Sequence, residues 1–365
     1  MKLNHHRVAC LALTIILCGA HIALSGGFAK NTILFIGDGM GSEQIKAARC
    51  YLGTPLCFET FSTRTDVTTH SAGGAITDSA AAATAMATGH KVPNGVLSLD
   101  GDRELRTLVE IARDKGKRTG LVTTTYMTHA TPAAFGAHEF DRGSLPAIAA
   151  DYLNQTRPNV VFGGGGNGLT VAAATAAGYT VITTRHELLT LDTESIMRIS
   201  GQFGQTHLPY EVNGGNDDIP HLSEMTSVAL RILDNETNGF FLMVEGGRID
   251  HACHNNDIRR AVGETVEFGR AVQQALAWAA GRDDTLVIVT ADHETGGLKV
   301  EADNGPGSLP TVSWAGGSHT ATPVPLYAWG INADIFAAVH DNTDIFFSIL
   351  KAGLDSSVQQ QCHQN

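Results

Sequence analysis

Short uninterrupted apolar runs recur along the chain, separated by segments whose apolar residues repeat at helical spacing. Thr32 to Gly37 reads as a strand followed by a helix from Ser42 to Cys50. A helix from Leu105 to Lys115 leads to a strand at Thr119 to Thr124, Leu222 to Leu233 leads to Phe240 to Val244, and Ile258 to Ala280 leads to Thr285 to Thr290. A further strand is expected at Asn159 to Phe162, ending in the loop FGGGGNG, Phe162 to Gly168. Strands with one wet face alternate polar and apolar residues; these runs do not, so both faces must be covered. Strands alternating with helices therefore predict a largely parallel sheet between helical layers. The glycine run lacks the spacing of a nucleotide-binding fingerprint and reads as structural.

Three of these buried strands run into a carboxylate: ILFIG into Asp38, FFLMV into Glu245 and LVIVTA into Asp292. In an open α/β sheet the carboxyl ends of the parallel strands share one edge, where ligands bind, so the three acids should converge. Asp292 is followed by His293. Asp250 and His254, in VEGGRIDHACH, are spaced to share one helical face, and Asp/His sets are good zinc ligands. Carboxylates crowded on one edge raise each other's pKa unless cations are present, so bound metal is expected.

Composition narrows the partners. The 365 residues are 43% hydrophobic and 17% charged, which excludes a disordered chain, and the net charge of −12 argues against a surface built for nucleic acid or anionic lipid. Any bound anion needs local positive charge. Lys2, His5, His6 and Arg7 precede an apolar run from Val8 to Cys18, too short to span a bilayer comfortably, and together they read as a secretory signal over residues 1–29. Gly27 and Ala29 would stand at −3 and −1 of a cut before Lys30, with a cut after Ala23 as the alternative; a lipoprotein reading through Cys18 suffers from the bulky Leu17 before it. Residues 30–365 then form a single domain, exported and free of the membrane, periplasmic or secreted. Export permits disulfides. Cys50 and Cys57 bracket a turn-bearing segment and are the expected pair, with two unpaired thiols as the alternative.

Thr77-Asp78-Ser79 enters a small-residue helix through Ala80 to Ala83, Met86 and Ala87. Taken alone it is a Ser or Asp cap on an alanine-rich helix. A serine there also lies near unpaired N–H groups and the positive end of the helix dipole, suited to a phosphate. The segments IGDGMG, TDSAAAATAMATG, VEGGRIDHACH, TADHETGG and GGSHTATP, in order from Asp38 to His319, resemble the signature segments of the metal-dependent alkaline phosphatases.

That resemblance implies a three-layer αβα sandwich with a mixed, mainly parallel central sheet, and a phosphate monoester hydrolase of broad specificity. Ser79 resembles the family's nucleophile, which forms a phosphoserine. Two zinc ions and one magnesium ion per subunit are implied: Asp38, Asp292 and His293 would hold the zinc beside Ser79, Asp250, His254 and His319 the second zinc, and Asp38, Thr131 and Glu245 the magnesium. Arg142, in HATPAAFGAHEFDRG, matches the phosphate clamp, and a guanidinium fork suits two phosphate oxygens. His129 and His251 stand where family members differ and are accessory. Cys253 is not one of the family's ligands and is read as packing. Only about 25 residues separate His293 from His319, where many members insert a large crown, so little or no crown is expected. The implied partners are small phosphomonoesters, inorganic phosphate and a second copy in a homodimer.

Two enzyme alternatives remain close. A sulfatase requires a proline two residues after its nucleophile, and Ser79 is followed by Ala80, Ala81 and Ala82, which fails that test. A phosphodiesterase is separated from a monoesterase by pocket shape, not by the metal set. An exported phosphate- or metal-binding protein without turnover would have no use for a serine beside the metals.

Overall fold

The computed structural model describes residues 27–213 and 218–354. A nine-stranded sheet runs through it in the order Thr63–Val67, Val324–Gly330, Thr285–Ala291, Asn31–Gly37, Phe240–Gly246, Arg118–Tyr126, Val160–Gly164, Ile199–Gln202 and Thr180–Ile182. Val324–Gly330 is antiparallel to both of its neighbours, and every other pairing is parallel. The expected mixed, mainly parallel sheet is present. The three strands that run into acids lie side by side at its centre, and every residue of Asn31–Gly37, Phe240–Gly246 and Thr285–Ala291 is buried. Their continuous apolar sequences therefore meet helices on both faces.

On one face the long helix Ile258–Ala279 packs against Leu222–Leu233 and Ser42–Leu52, with Phe268 edge-on to Phe35 at 6.0 Å. The other face carries Ser79–Thr88, Ala130–Gly136, Leu108–Asp114 and Asn342–Ile349. Adjacent residues of one strand show the division: Gly120 lies under Leu233, while Leu121 faces Gly136. Each fully buried Phe or Leu contributes about 1.5–3 kcal/mol relative to exposure, which fixes the order of the layers.

The sequence-derived helix Leu222 to Leu233 is matched residue for residue. The helix expected from Leu105 begins at Leu108, because Thr107 caps it and exchanges hydrogen bonds with Glu110. Four strands of the nine-stranded sheet were not read from the pattern: Thr63–Val67, Thr180–Ile182, Ile199–Gln202 and Val324–Gly330. The glycine loop also starts later than expected, since the strand continues through Gly163 and Gly164. Between His293 and His319 the chain forms only a short hairpin, Leu298–Ala302 with Thr311–Trp314.

The disulfide expected between Cys50 and Cys57 is not formed, and both are free thiols. The first helix extends past Cys50 to Leu52, so less chain is left to turn, and Cys57 Sγ donates instead to Gly269 O at 3.4 Å. Cys253 is fully buried as packing. Residues 1–26, with most of the expected signal and Cys10 and Cys18, lie outside the described residues, as does Cys362. Ala29 is buried and its N–H donates to Ala352 O at 2.8 Å. Among the described residues no helix is long and apolar enough to cross a membrane.

Candidate active site

Asp38, Glu245 and Asp292 meet at the carboxyl edge of the three central strands. Gly39, directly after Asp38, has a φ of 71°, and a Cβ there would lie 2.9 Å from Asp250 Cα. Its bareness lets the helix Arg248–His254 close onto Asp38. Ser79 is the first residue of the wholly buried helix Ser79–Thr88. Asp78 caps that helix, its Oδ1 accepting from Ala81 N–H at 3.0 Å.

One group of ligand atoms gathers at Ser79. His293 Nε2 lies 3.2 Å from Asp292 Oδ2, 3.5 Å from Asp38 Oδ1 and 3.4 Å from Ser79 Oγ. Thr295 sets the tautomer of that ring. Its hydroxyl donates to Asp250 Oδ1 at 2.6 Å, so it must accept from His293 Nδ1–H at 3.2 Å, which leaves a lone pair on Nε2 facing the two acids. A second group has the same logic. His254 Nδ1 donates to Gly317 O at 2.7 Å and His319 Nδ1 to Thr77 O at 2.8 Å, so their Nε2 atoms are turned toward each other, 3.1 Å apart, beside Asp250. Two ring nitrogens turned to one carboxylate at that distance require a proton or a metal ion among them, and carbonyl-anchored imidazoles are typical of metal ligands.

Asp38 and Glu245 also approach His129. Thr123 and Thr125 donate to Glu245 Oε2, while Glu245 Oε1 has no partner. Among the described residues both oxygens of Asp38, Asp292 Oδ2 and the Thr131 hydroxyl are likewise buried without a hydrogen bond. Buried polar groups rarely go unpaired, and one set of orphaned oxygens with imidazole lone pairs fits divalent metal ions. The residues present thus fit metal in all three places.

Without cations the electrostatics are unfavourable. Burial pushes the Asp38 carboxyl well above its usual range, and Asp292, Asp250 and Glu245 push it further. Burial likewise raises Glu245 to about 7, against the Thr123 hydrogen bond. Asp250 is buried too, yet His254 holds it low, and the same contact lifts His254 to about 9. Protons here occupy places suited to metal.

Arg142 Nη1 donates to Asp78 Oδ2 at 3.0 Å, and its Nη2 approaches His129 Nε2 at 3.3 Å. The residue that caps the serine helix therefore also holds the guanidinium. His251 Nδ1 accepts from Arg248 Nη1 at 2.7 Å. A further group, Glu211, His221 and Glu267, lies outside this centre and is taken up by ion pairs, His221 with Glu211 and Arg270 with Glu267.

The sequence model described as alkaline phosphatase matches residues 29–172 and 164–313. The chain belongs to the alkaline phosphatase family. Alkaline phosphatase 3 of Bacillus subtilis (strain 168) is 31% identical across 88% of each chain. The streptomycin-6-phosphate phosphatase of Streptomyces griseus is 35% identical over 89% of this chain and 90% of its own. The alkaline phosphatase of the Antarctic bacterium TAB5 superposes with a TM-score of 0.80 at 31% identity, covering 89% of this chain and 98% of that one. A histidine-to-aspartate variant of the TAB5 enzyme holds magnesium in its M3 site. The chain is thus a metal-dependent phosphatase by family.

All of the residues singled out in the sequence as metal ligands lie in this centre. Several that shape it were not singled out: Thr295, which orients His293; Gln44, whose Nε2 donates to Glu294 Oε1 at 2.8 Å and Thr295 O at 2.9 Å; and Thr123. Thr295 stands two residues after His293 in ADHETGG, so strand alternation was the available signal.

Proposed function

We propose that the protein hydrolyses phosphate monoesters of broad structure through a phosphoserine on Ser79, with two zinc ions and one magnesium ion. The observation that carries this is the Ser79 hydroxyl, on the first residue of a buried helix, 3.4 Å from a His293 nitrogen whose lone pair faces two orphaned carboxylates. Asp38, Asp292 and His293 would hold one zinc, Asp250, His254 and His319 the other, and Asp38, Thr131 and Glu245 the magnesium. Metal ions held there would supply Lewis acidity, favouring an ionised hydroxyl and stabilising a departing alkoxide.

The chain's own groups account for the rest. Arg142 binds two phosphate oxygens with its fork, and its contacts with Asp78 and His129 hold that fork in place. Ser79 Oγ then forms a bond to phosphorus as the bond to the ester oxygen breaks, its proton passing to solvent. Water attacks the phosphoserine in the second half and frees inorganic phosphate. Little further acid or base is required of the protein, because positioning and charge dominate phosphoryl transfer. His129 and His251 flank the clamp as accessory groups.

Export to the periplasm or medium agrees with the basic and apolar start of the sequence. Within that reading a cut after Ala23 is favoured over one before Lys30, since the latter would remove Ala29 from its buried place beside Ala352. A homodimer is proposed from family membership. The test is release of p-nitrophenol from p-nitrophenyl phosphate across neutral to alkaline pH, before chelation, after it, and with zinc and magnesium restored. Activity that vanishes and returns supports the reading; a metal-restored protein without turnover refutes it.

A further inference from the structure

The glycine run after Phe162 takes no part in the metal groups, yet it seats another segment of chain at distances a side chain would forbid. A Cβ on Gly164 would lie 1.6 Å from Thr206 O, one on Gly165 2.8 Å from Gly204 O, and one on Gly166 2.8 Å from Gln205 O. Gly165 N–H donates to Gly204 O at 3.1 Å, Asn167 Nδ2 to Gln205 O at 3.3 Å, and Leu208 N–H to Thr124 O at 2.8 Å. The Gly204 and Gln205 carbonyls are thereby held by hydrogen bonds and the Thr206 carbonyl by its close approach to Gly164, and the next residue is His207.

The His207 ring lies 4.5 Å from that of His251, 4.7 Å from Tyr126 and 5.4 Å from His129. Its Nδ1 is buried and makes no hydrogen bond among the described residues, so its contacts are those of the ring. His251 is tied by its Nδ1 to Arg248, whose guanidinium lies 3.9 Å over the Tyr210 ring. One hydrogen bond leaves an imidazole free to pivot about it. His207, packed across both His251 and His129, removes that freedom, and His129 in turn touches Arg142.

We propose that His207 is a positioning residue for the phosphatase reaction. Seated by the glycine run, its ring locks His251 and His129 in the orientation that keeps Arg142 aimed at phosphate. It acts through packing, without touching substrate. The inference rests on the proposed role of Arg142 as clamp.

The test uses the full chain loaded with zinc and magnesium, and compares His207→Ala, His207→Leu and His207→Phe. KM and kcat for p-nitrophenyl phosphate, the inhibition constant of inorganic phosphate, and the melting temperature are read for each. Losing the support of a site residue typically costs about tenfold or more, so alanine should raise KM and the phosphate inhibition constant about tenfold with kcat changed far less. Leucine, which keeps bulk and guards against a folding failure of the alanine variant, should fall between alanine and wild type. Phenylalanine, which keeps the ring, should restore both constants to within about twofold of wild type. Constants like wild type in the alanine and leucine variants would overturn the proposal. So would an equal loss in the phenylalanine variant, since a ring nitrogen would then be the working part. Arg142→Ala separates the two readings: if it too leaves phosphate inhibition unchanged, the clamp itself is wrong.

Discussion

Asp78 is asked to do two jobs at once, and removing it should show both. One carboxylate oxygen caps the Ser79 helix at Ala81 N–H; the other accepts from Gly95 N–H and Arg142 Nη1, each at 3.0 Å. Losing an acidic helix cap costs about 1 kcal/mol. The Arg142 ion pair has side chains 29% and 20% exposed, so solvent screening limits its share to about 1 kcal/mol. Asp78→Ala should therefore lose about 2 kcal/mol, a fall in melting temperature of about 3 °C for a chain of this size. Asparagine caps a helix as well as aspartate, so Asp78→Asn should keep about half of that stability while losing the charge that holds Arg142. Both variants should weaken phosphate binding by about 1 kcal/mol, raising KM and the phosphate inhibition constant about fivefold. Because the lost grip is on bound phosphate, kcat should not fall. Thermal melts and steady-state kinetics with phosphate as inhibitor read all of this. Variants that melt early yet keep wild-type phosphate inhibition would show that Asp78 is a cap alone and that Arg142 does not depend on it.

Three other outcomes follow from the same structure. Burial pushes His138 down, but Glu110, 3.3 Å away, and the Ser98 carbonyl outweigh that and leave its pKa raised, while Glu110 is burdened by burial yet held low by His138 and Thr107. A raised histidine stabilises the fold below its unfolded pKa of about 6.5 and stops doing so as pH rises through the folded value, so His138→Gln should cost more stability at about pH 5.5 than at about pH 9 in denaturant titrations. Burial lifts the Cys57 thiol to about 11, so Cys57 should react slowly with iodoacetamide in the native enzyme at neutral pH, and peptide mapping of the denatured, unreduced protein should find both Cys50 and Cys57 as thiols. Chelation should lower the melting temperature along with activity, because it leaves Asp38, Glu245 and Asp292 with unpaired buried oxygens, and zinc with magnesium should restore both.

What could be read from sequence follows from where the physics is local. Asp250 and His254 declared their shared face by a four-residue spacing, and Asp38, Glu245 and Asp292 by ending buried strands, because a parallel sheet brings its carboxyl ends to one edge. The strand Thr63–Val67 was hidden by its polar residues, which suit the edge of the sheet, and Val324–Gly330 by Pro325, a residue expected only at strand edges. His207 was invisible for a different reason. Its place depends on close approach between Gly164 and Thr206, a contact between segments far apart in sequence, and no periodicity encodes it. The Cys50 and Cys57 pairing failed because the first helix runs past Cys50 to Leu52, two residues further than its apolar pattern suggested.

The proposed reaction turns on a covalent bond between phosphorus and Ser79 Oγ. The enzyme loaded with zinc and magnesium would be mixed with inorganic phosphate at mildly acidic pH, quenched in acid, digested and mapped by mass spectrometry. One added phosphoryl group is expected on the peptide spanning Thr77 to Thr88, located at Ser79 and absent from Ser79→Ala. Turnover by an enzyme that carries the group on another residue, or undiminished turnover by Ser79→Ala, would contradict it.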